Sequence, residues 1–203
     1  MRETVRRAAE CALLGVLWAL CSLPLVTAGA AWSAVARICH AWNRGEEPPL
    51  VRTFVSVIRR DFGGGLGMTA LGLLAAAPLL EARISLTARL PGARAEAVAL
   101  GLVGVTALCV VALTFPRHAA DPAVTWRDSL RATAALAAAR PWVIPLTAVA
   151  LGLPAFLVIV YPALIVFIGG PAGYAVCAVY GRAVRARYRG KGRWAGWRTN
   201  AHR

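Results

Sequence analysis

Acidic residues are scarce in this chain, nine Asp and Glu among 203, and charge of either sign is absent from four long stretches. These uncharged runs cover 11–36, 62–80, 97–116 and 141–181, or 26, 19, 20 and 41 residues. A helix rises about 1.5 Å per residue, so roughly 20 apolar residues cross the ~30 Å hydrocarbon layer of a bilayer. The chain is 59% hydrophobic with a mean hydropathy of +0.61, whereas soluble domains are roughly 45–50% apolar. The missing charge therefore excludes a water-soluble globular domain and predicts an all-α integral membrane bundle. A cleaved leader does not account for the first run, whose apolar core is long and is followed by three more runs of membrane length.

Other absences narrow the function. The five cysteines, Cys11, Cys21, Cys39, Cys109 and Cys177, form no CxxC pair, so neither a disulfide framework nor a zinc site is indicated. His40, His118 and His202 are isolated from one another, and "GGGLG" at 63–67 lacks the Lys and Ser/Thr of a phosphate loop. No run holds an ionisable residue away from its ends, which disfavours ion-coupled transport, because coupling groups normally lie at membrane depth. No enzymatic activity, cofactor or metal is expected.

What the chain does have is arginine, 22 of its 23 basic residues. Basic residues number three in 1–10, five in 37–61, three in 81–96, four in 117–140 and eight in 182–203. Cytoplasmic segments are the ones enriched in Lys and Arg. Five spans with the amino terminus outside place 17 basic residues inside against 6 outside. Four spans with the amino terminus inside give 14 against 9. Folding 11–36 into its own hairpin gives 20 against 3, but each arm would hold about 13 residues, too short to cross, so this hairpin stands only as a re-entrant alternative. The five-span arrangement is thus the expectation, with spans near 8–28, 63–80, 97–116, 142–160 and 163–181 in one membrane domain, 1–181, and a basic cytoplasmic tail, 182–203.

Periodicity adds three basic amphipathic helices lying in the interface, near 30–44, 49–62 and 125–140. In the first, Ser33, Arg37, His40 and Arg44 make a wet stripe opposite Trp32, Val35, Cys39 and Trp42. Pro24 and Gly29 mark where the preceding span ends and the chain lies down on the cytoplasmic face. In the second, Val51, Phe54, Val55, Ile58 and Phe62 oppose Arg52, Ser56, Arg59 and Arg60. In the third, Thr125 and Asp128 have capping-box spacing, and Trp126, Leu130 and Ala134 face away from Arg127 and Arg131. The 141–181 run is expected to turn near Tyr161 and Pro162, leaving Gly169, Gly170 and Pro171 as a helix break at mid-depth. Such a break can free backbone groups for a ligand, but a kink packed against neighbouring helices is the expected reading; Pro24 and Gly29 are counted with it as helix breaks. Arg37, Arg44, Arg52, Arg59, Arg60, Arg185, Arg187 and Arg189 are candidate contacts for anionic lipid or a partner. Nucleic acid fits less well, since topology alone demands positive charge on that side.

Three stretches carry a family likeness: "LWALCSLPLVTAG" at 17–29, "RGEEPPLVRTF" at 44–54 and the Arg-rich end near Arg59. Together they resemble the amino-terminal region of the YesL-like family of bacterial multi-pass membrane proteins, except that Ala30 and Ala31 stand where members commonly have Pro and Ala. The resemblance implies a bacterial cytoplasmic membrane protein without catalytic residues, associated with carbohydrate uptake and with sugar ABC transporter subunits. A non-enzymatic accessory or regulatory role is the resulting expectation, with a small transporter or lipid-handling protein not coupled to ions as the alternative. The oligomeric state stays open.

Overall fold

The computed structural model describes residues 2–88 and 92–189. All regular structure there is helical: α1 (Arg2–Ser22), α2 (Ala28–Asn43), α3 (Leu50–Ala88), α4 (Ala93–Ala120), α5 (Trp126–Ala139), α6 (Val143–Val160) and α7 (Ile165–Arg189). Short 3-10 turns at Leu25–Thr27 and Pro162–Leu164 join α1 to α2 and α6 to α7. Among the described residues four helices are long and apolar enough to cross a membrane: α3, α4, α6 and α7. The apolar part of α1, Ala9–Ser22, is shorter than a span.

The first third departs from the expected wiring. Instead of a span at 8–28 and a surface helix at 30–44, α1 and α2 form an antiparallel hairpin whose tip is Leu23–Thr27. Pro24 cannot continue α1, and the Thr27 hydroxyl donates to the Cys21 carbonyl, satisfying the end of α1. The open ends are tied together by Glu47, which pairs with Arg6 and lies 3.7 Å from Arg7. The amino-terminal end of α1 therefore lies beside residues 44–47, not at the opposite end of the molecule. The arms are longer than 13 residues because their charged turns extend them, to 21 residues in α1 and 16 in α2. They also need not cross, because the tip lies beside Gly65 and Thr69 of α3, about 12 Å beyond Asp61 at 1.5 Å per residue.

Far from lying on a surface, α2 is the axis of the bundle. Eleven of its 16 residues are buried, among them Ala30, Ala34, Val35, Ile38, Cys39 and Trp42. Small residues allow this: a Cβ at Gly29 would stand 2.1 Å from the Gly65 carbonyl oxygen, so the two backbones are in direct contact. α3 runs antiparallel to α2, and the expected surface helix 49–62 and span 63–80 are one unbroken helix of roughly 58 Å. Its expected apolar face is divided between the protein interior and the exterior. Phe54 and Val57 are buried, whereas Val51, Val55 and Phe62 are exposed beside Arg52 and Arg59.

α4 returns along α3, with Gly104 against Leu79. α5 begins on the expected cap, Thr125 Oγ1 accepting from the Asp128 backbone N–H at 3.2 Å. Its buried face is Ser129, Thr133, Leu136 and Ala137, while Ala134 is exposed. The turn at Tyr161 and Pro162 is where the apolar run folds back. α7 then packs on α1 and α2, and it is continuous through Gly169, Gly170 and Pro171. These residues do not break the helix; a Cβ at Gly170 would stand 2.2 Å from the Cys11 carbonyl oxygen and one at Gly169 would strike the Trp18 ring. They are close-packing positions. One core centres on α2, from Leu14 through Phe54 and Met68 to Phe115 and Cys177. A second joins Leu113, Leu136, Val143, Val176 and Val179.

Candidate functional site

The polar stripe of α2 exists, but it faces protein. Ser33 Oγ donates to Asp61 Oδ2 of α3 at 2.6 Å, and Arg37 Nη1 donates to the Ala119 carbonyl of α4 at 3.4 Å. His118 of α4 brings Nε2 to 3.9 Å from Asp61 Oδ2, with the two side chains only 7% and 13% exposed. Its ring stacks on Trp126 of α5, centroids 3.9 Å apart. Away from water such groups need protein partners, and here the partners come from four different helices. Edge-to-face rings extend the node across the bundle, Trp18 to Trp32 at 5.9 Å, Trp32 to Phe115 at 6.5 Å and Phe115 to Trp126 at 5.5 Å.

Ser, Asp and His in one place suggest nucleophilic chemistry, but the geometry is wrong for it. A nucleophilic serine needs a base on its hydroxyl; Ser33 gives its proton to Asp61 Oδ2, and His118 Nε2 faces that same oxygen at 3.9 Å without a hydrogen bond to the serine. The node is an interhelical clasp. Among the described residues no group of three His, Cys, Asp or Glu is placed to hold a metal ion.

Below the node the same end of the molecule opens into a cavity of about 610 Å³ between α2, α4, α5 and α7. Its walls carry Arg44, Arg117, Arg182 and Arg185, with His40, Asn43, Tyr174 and Tyr180 between them, and include no Asp or Glu. Burial, followed by the nearby Arg44 guanidinium, holds the His40 imidazole below its ordinary range. The neutral ring adds hydrogen-bonding capacity without further charge.

The predicted contact residues are thus divided. Arg37 enters the node, Arg44 and Arg185 line the cavity, and Arg52, Arg59 and Arg60 flank a shallow outer groove on α3 with Val51, Val55 and Ser56. The Arg187 and Arg189 side chains and the tail from 190 lie outside the described residues. Pro24 is in the hairpin tip, while Gly29, Gly169, Gly170 and Pro171 lie within helices. Asp61, His118, Arg117 and Arg182 are not among the predicted contact residues. Their signal is positional: each ends an uncharged run, or stands one residue beyond it, where a span meets its first polar neighbours.

Fold and site together define a polytopic helical membrane protein with a polar clasp and a cationic cavity at one end. Residues 11–80, comprising most of α1, all of α2 and much of α3, match a family described as a protein of unknown function, DUF624. No curated protein and no solved structure matches the chain.

Proposed function

We propose that this chain is a YesL-like, non-enzymatic accessory or regulatory component of a carbohydrate uptake system of the ABC type. It sits in the bacterial cytoplasmic membrane with its basic end toward the cytoplasm. The observation that carries the orientation is the gathering of charge. Both arms of the α1–α2 hairpin, the start of α3, the ends of α4 and α7, and α5 share one end. Those segments contain 14 of the 23 basic residues, whereas the facing ends of α3 and α4 at the other end hold Arg83 and Arg94. Four crossings with both termini inside follow from the positive-inside rule. Exposed Val51, Val55 and Phe62 beside Arg52 and Arg59 suit the headgroup zone of an anionic leaflet.

The carbohydrate association rests on the family resemblance. Its test is gentle solubilisation of the tagged chain from its own host, followed by identification of what co-purifies. Stoichiometric recovery of transporter subunits is the expected result. Recovery of the chain alone, together with solute movement by the chain alone in proteoliposomes, contradicts it.

A further inference from the structure

The arginines at the basic end are not equivalent. The few acids there serve particular neighbours: Glu47 lies between Arg6 and Arg7, Glu46 meets Arg44 at 3.1 Å, and Asp128 lies 3.8 Å from Arg131. Arg117, Arg182 and Arg185 have no carboxylate within 4 Å among the described residues. All three reach the same concavity, from α4 and α7, and Arg44 reaches it from just beyond the end of α2. Arg185 folds back over Gly181, its Nη1 3.7 Å from where a Cβ there would lie. A concave wall lined by one sign of charge focuses its field and concentrates counter-ions.

We propose that this cavity binds an organic phosphate. Arg117, Arg182 and Arg185 hold the phosphate group, and Tyr174 and Leu136 flank the organic remainder. Guanidinium forks match phosphate oxygens two at a time, which makes arginine the suited residue for this group. The cavity, at about 610 Å³, is of the size that holds small organic ligands, roughly 300–1,000 Å³. Asn43, His40 and Thr133 supply hydrogen-bonding groups for hydroxyls on such a ligand. The site deepens the function proposed above and rests on its cytoplasmic orientation only for access. The phosphate could belong to a soluble phosphomonoester or to an anionic phospholipid headgroup, and the chemistry of recognition is shared.

The test is equilibrium binding to the purified full-length chain in neutral detergent at 0.15 M salt. The probes are glycerol 3-phosphate and short-chain phosphatidylglycerol, with glycerol and short-chain phosphatidylcholine as controls. Saturable binding of glycerol 3-phosphate identifies a soluble ligand; saturable binding of phosphatidylglycerol alone identifies a headgroup. In either case the double variant Arg182→Gln/Arg185→Gln, altered at two exposed positions, weakens binding at least tenfold. Arg127→Gln/Arg131→Gln, which removes equal charge from the outer face of α5, changes it less than twofold. Arg117→Lys, which keeps charge but loses the fork, weakens binding with an unchanged unfolding midpoint. Equal losses in the two double variants, or no saturable binding of either phosphate probe, overturn the proposal. Because the protein is purified, an inverted orientation or the absence of transporter partners leaves this result unaffected, so the two readings fail separately.

Discussion

α2 and α6 are apolar helices of 16 and 18 residues, yet α2 buries eleven residues and α6 only two, Val143 and Thr147. The more hydrophobic helix is the one left facing outward, with Val149, Leu153, Phe156 and Ile159 all exposed. In a bilayer this is the expected order, because lipid tails solvate Leu and Ile as well as a protein core does. Burial is then driven by close packing and by hydrogen bonds. α2 supplies both, through Gly29, Ala30, Ala31 and Ala34 on one count and Ser33 and Arg37 on the other. α6 has large side chains, and the Cβ position of its Gly152 meets nothing within 4 Å.

That contrast can be broken most forcefully at glycine. Gly29→Ala places a methyl 2.1 Å from the Gly65 carbonyl oxygen and 2.7 Å from Thr69 Oγ1. It is expected to destabilise the bundle by about 3 kcal/mol, at the upper end for overpacking. Gly152→Ala should be neutral or stabilising by up to ~1 kcal/mol, as expected for Gly to Ala in a helix. Denaturant unfolding in micelles measures both, and equal effects would erase the distinction drawn here.

The clasp comes next. Removing one partner of a charge-assisted hydrogen bond costs about 1.5–3 kcal/mol, so Asp61→Ala should lose about that much. Ser33→Ala, which removes the donor of the same bond, should lose about 1.5 kcal/mol, the lower end of that range. In the double variant the two losses should fall short of additivity, since both act on the 2.6 Å bond. Strict additivity would mean that the bond does not hold α2 to α3.

Side-chain truncation sharpens the comparison at smaller scale. Val35→Ala in α2, where the side chain is fully buried, should cost about 1–2 kcal/mol through lost contacts. Ile159→Ala, 78% exposed on α6, should change stability by less than about 0.5 kcal/mol. Weaker still in its effect on folding, Arg52→Gln/Arg59→Gln should leave stability unchanged. Its effect is on association with anionic lipid, by roughly 1 kcal/mol per residue at low salt, read by co-flotation with phosphatidylglycerol vesicles.

Much of this architecture is written in local signals. Charge-free runs locate α3, α4, α6 and α7, Thr125 and Asp128 mark the start of α5, and Tyr161 and Pro162 mark the last turn. The facing of α2 is not local. Its periodic stripe of Ser33, Arg37 and His40 reads equally as a wetted surface or an interior seam. The choice depends on Asp61 and Ala119, which lie 28 and 82 residues away. Alanine and glycine around the whole circumference of α2 are the available clue, since small residues invite neighbours on every side. The cavity is less legible again, because Arg44, Arg117 and Arg182 converge only once three helices are packed.

The hairpin fold of α1 and α2 is decided most directly by site-specific thiol labelling with a membrane-impermeant reagent. Single cysteines would replace Glu3, Glu46 and Arg83 in turn, in a chain whose five native cysteines are changed to alanine or serine. In intact cells the thiol at 83 should react while those at 3 and 46 stay protected, and in inverted vesicles the pattern should reverse. A thiol at 3 that reacts from the same side as 83 while 46 reacts from the other would make α1 a crossing helix and dissolve the hairpin.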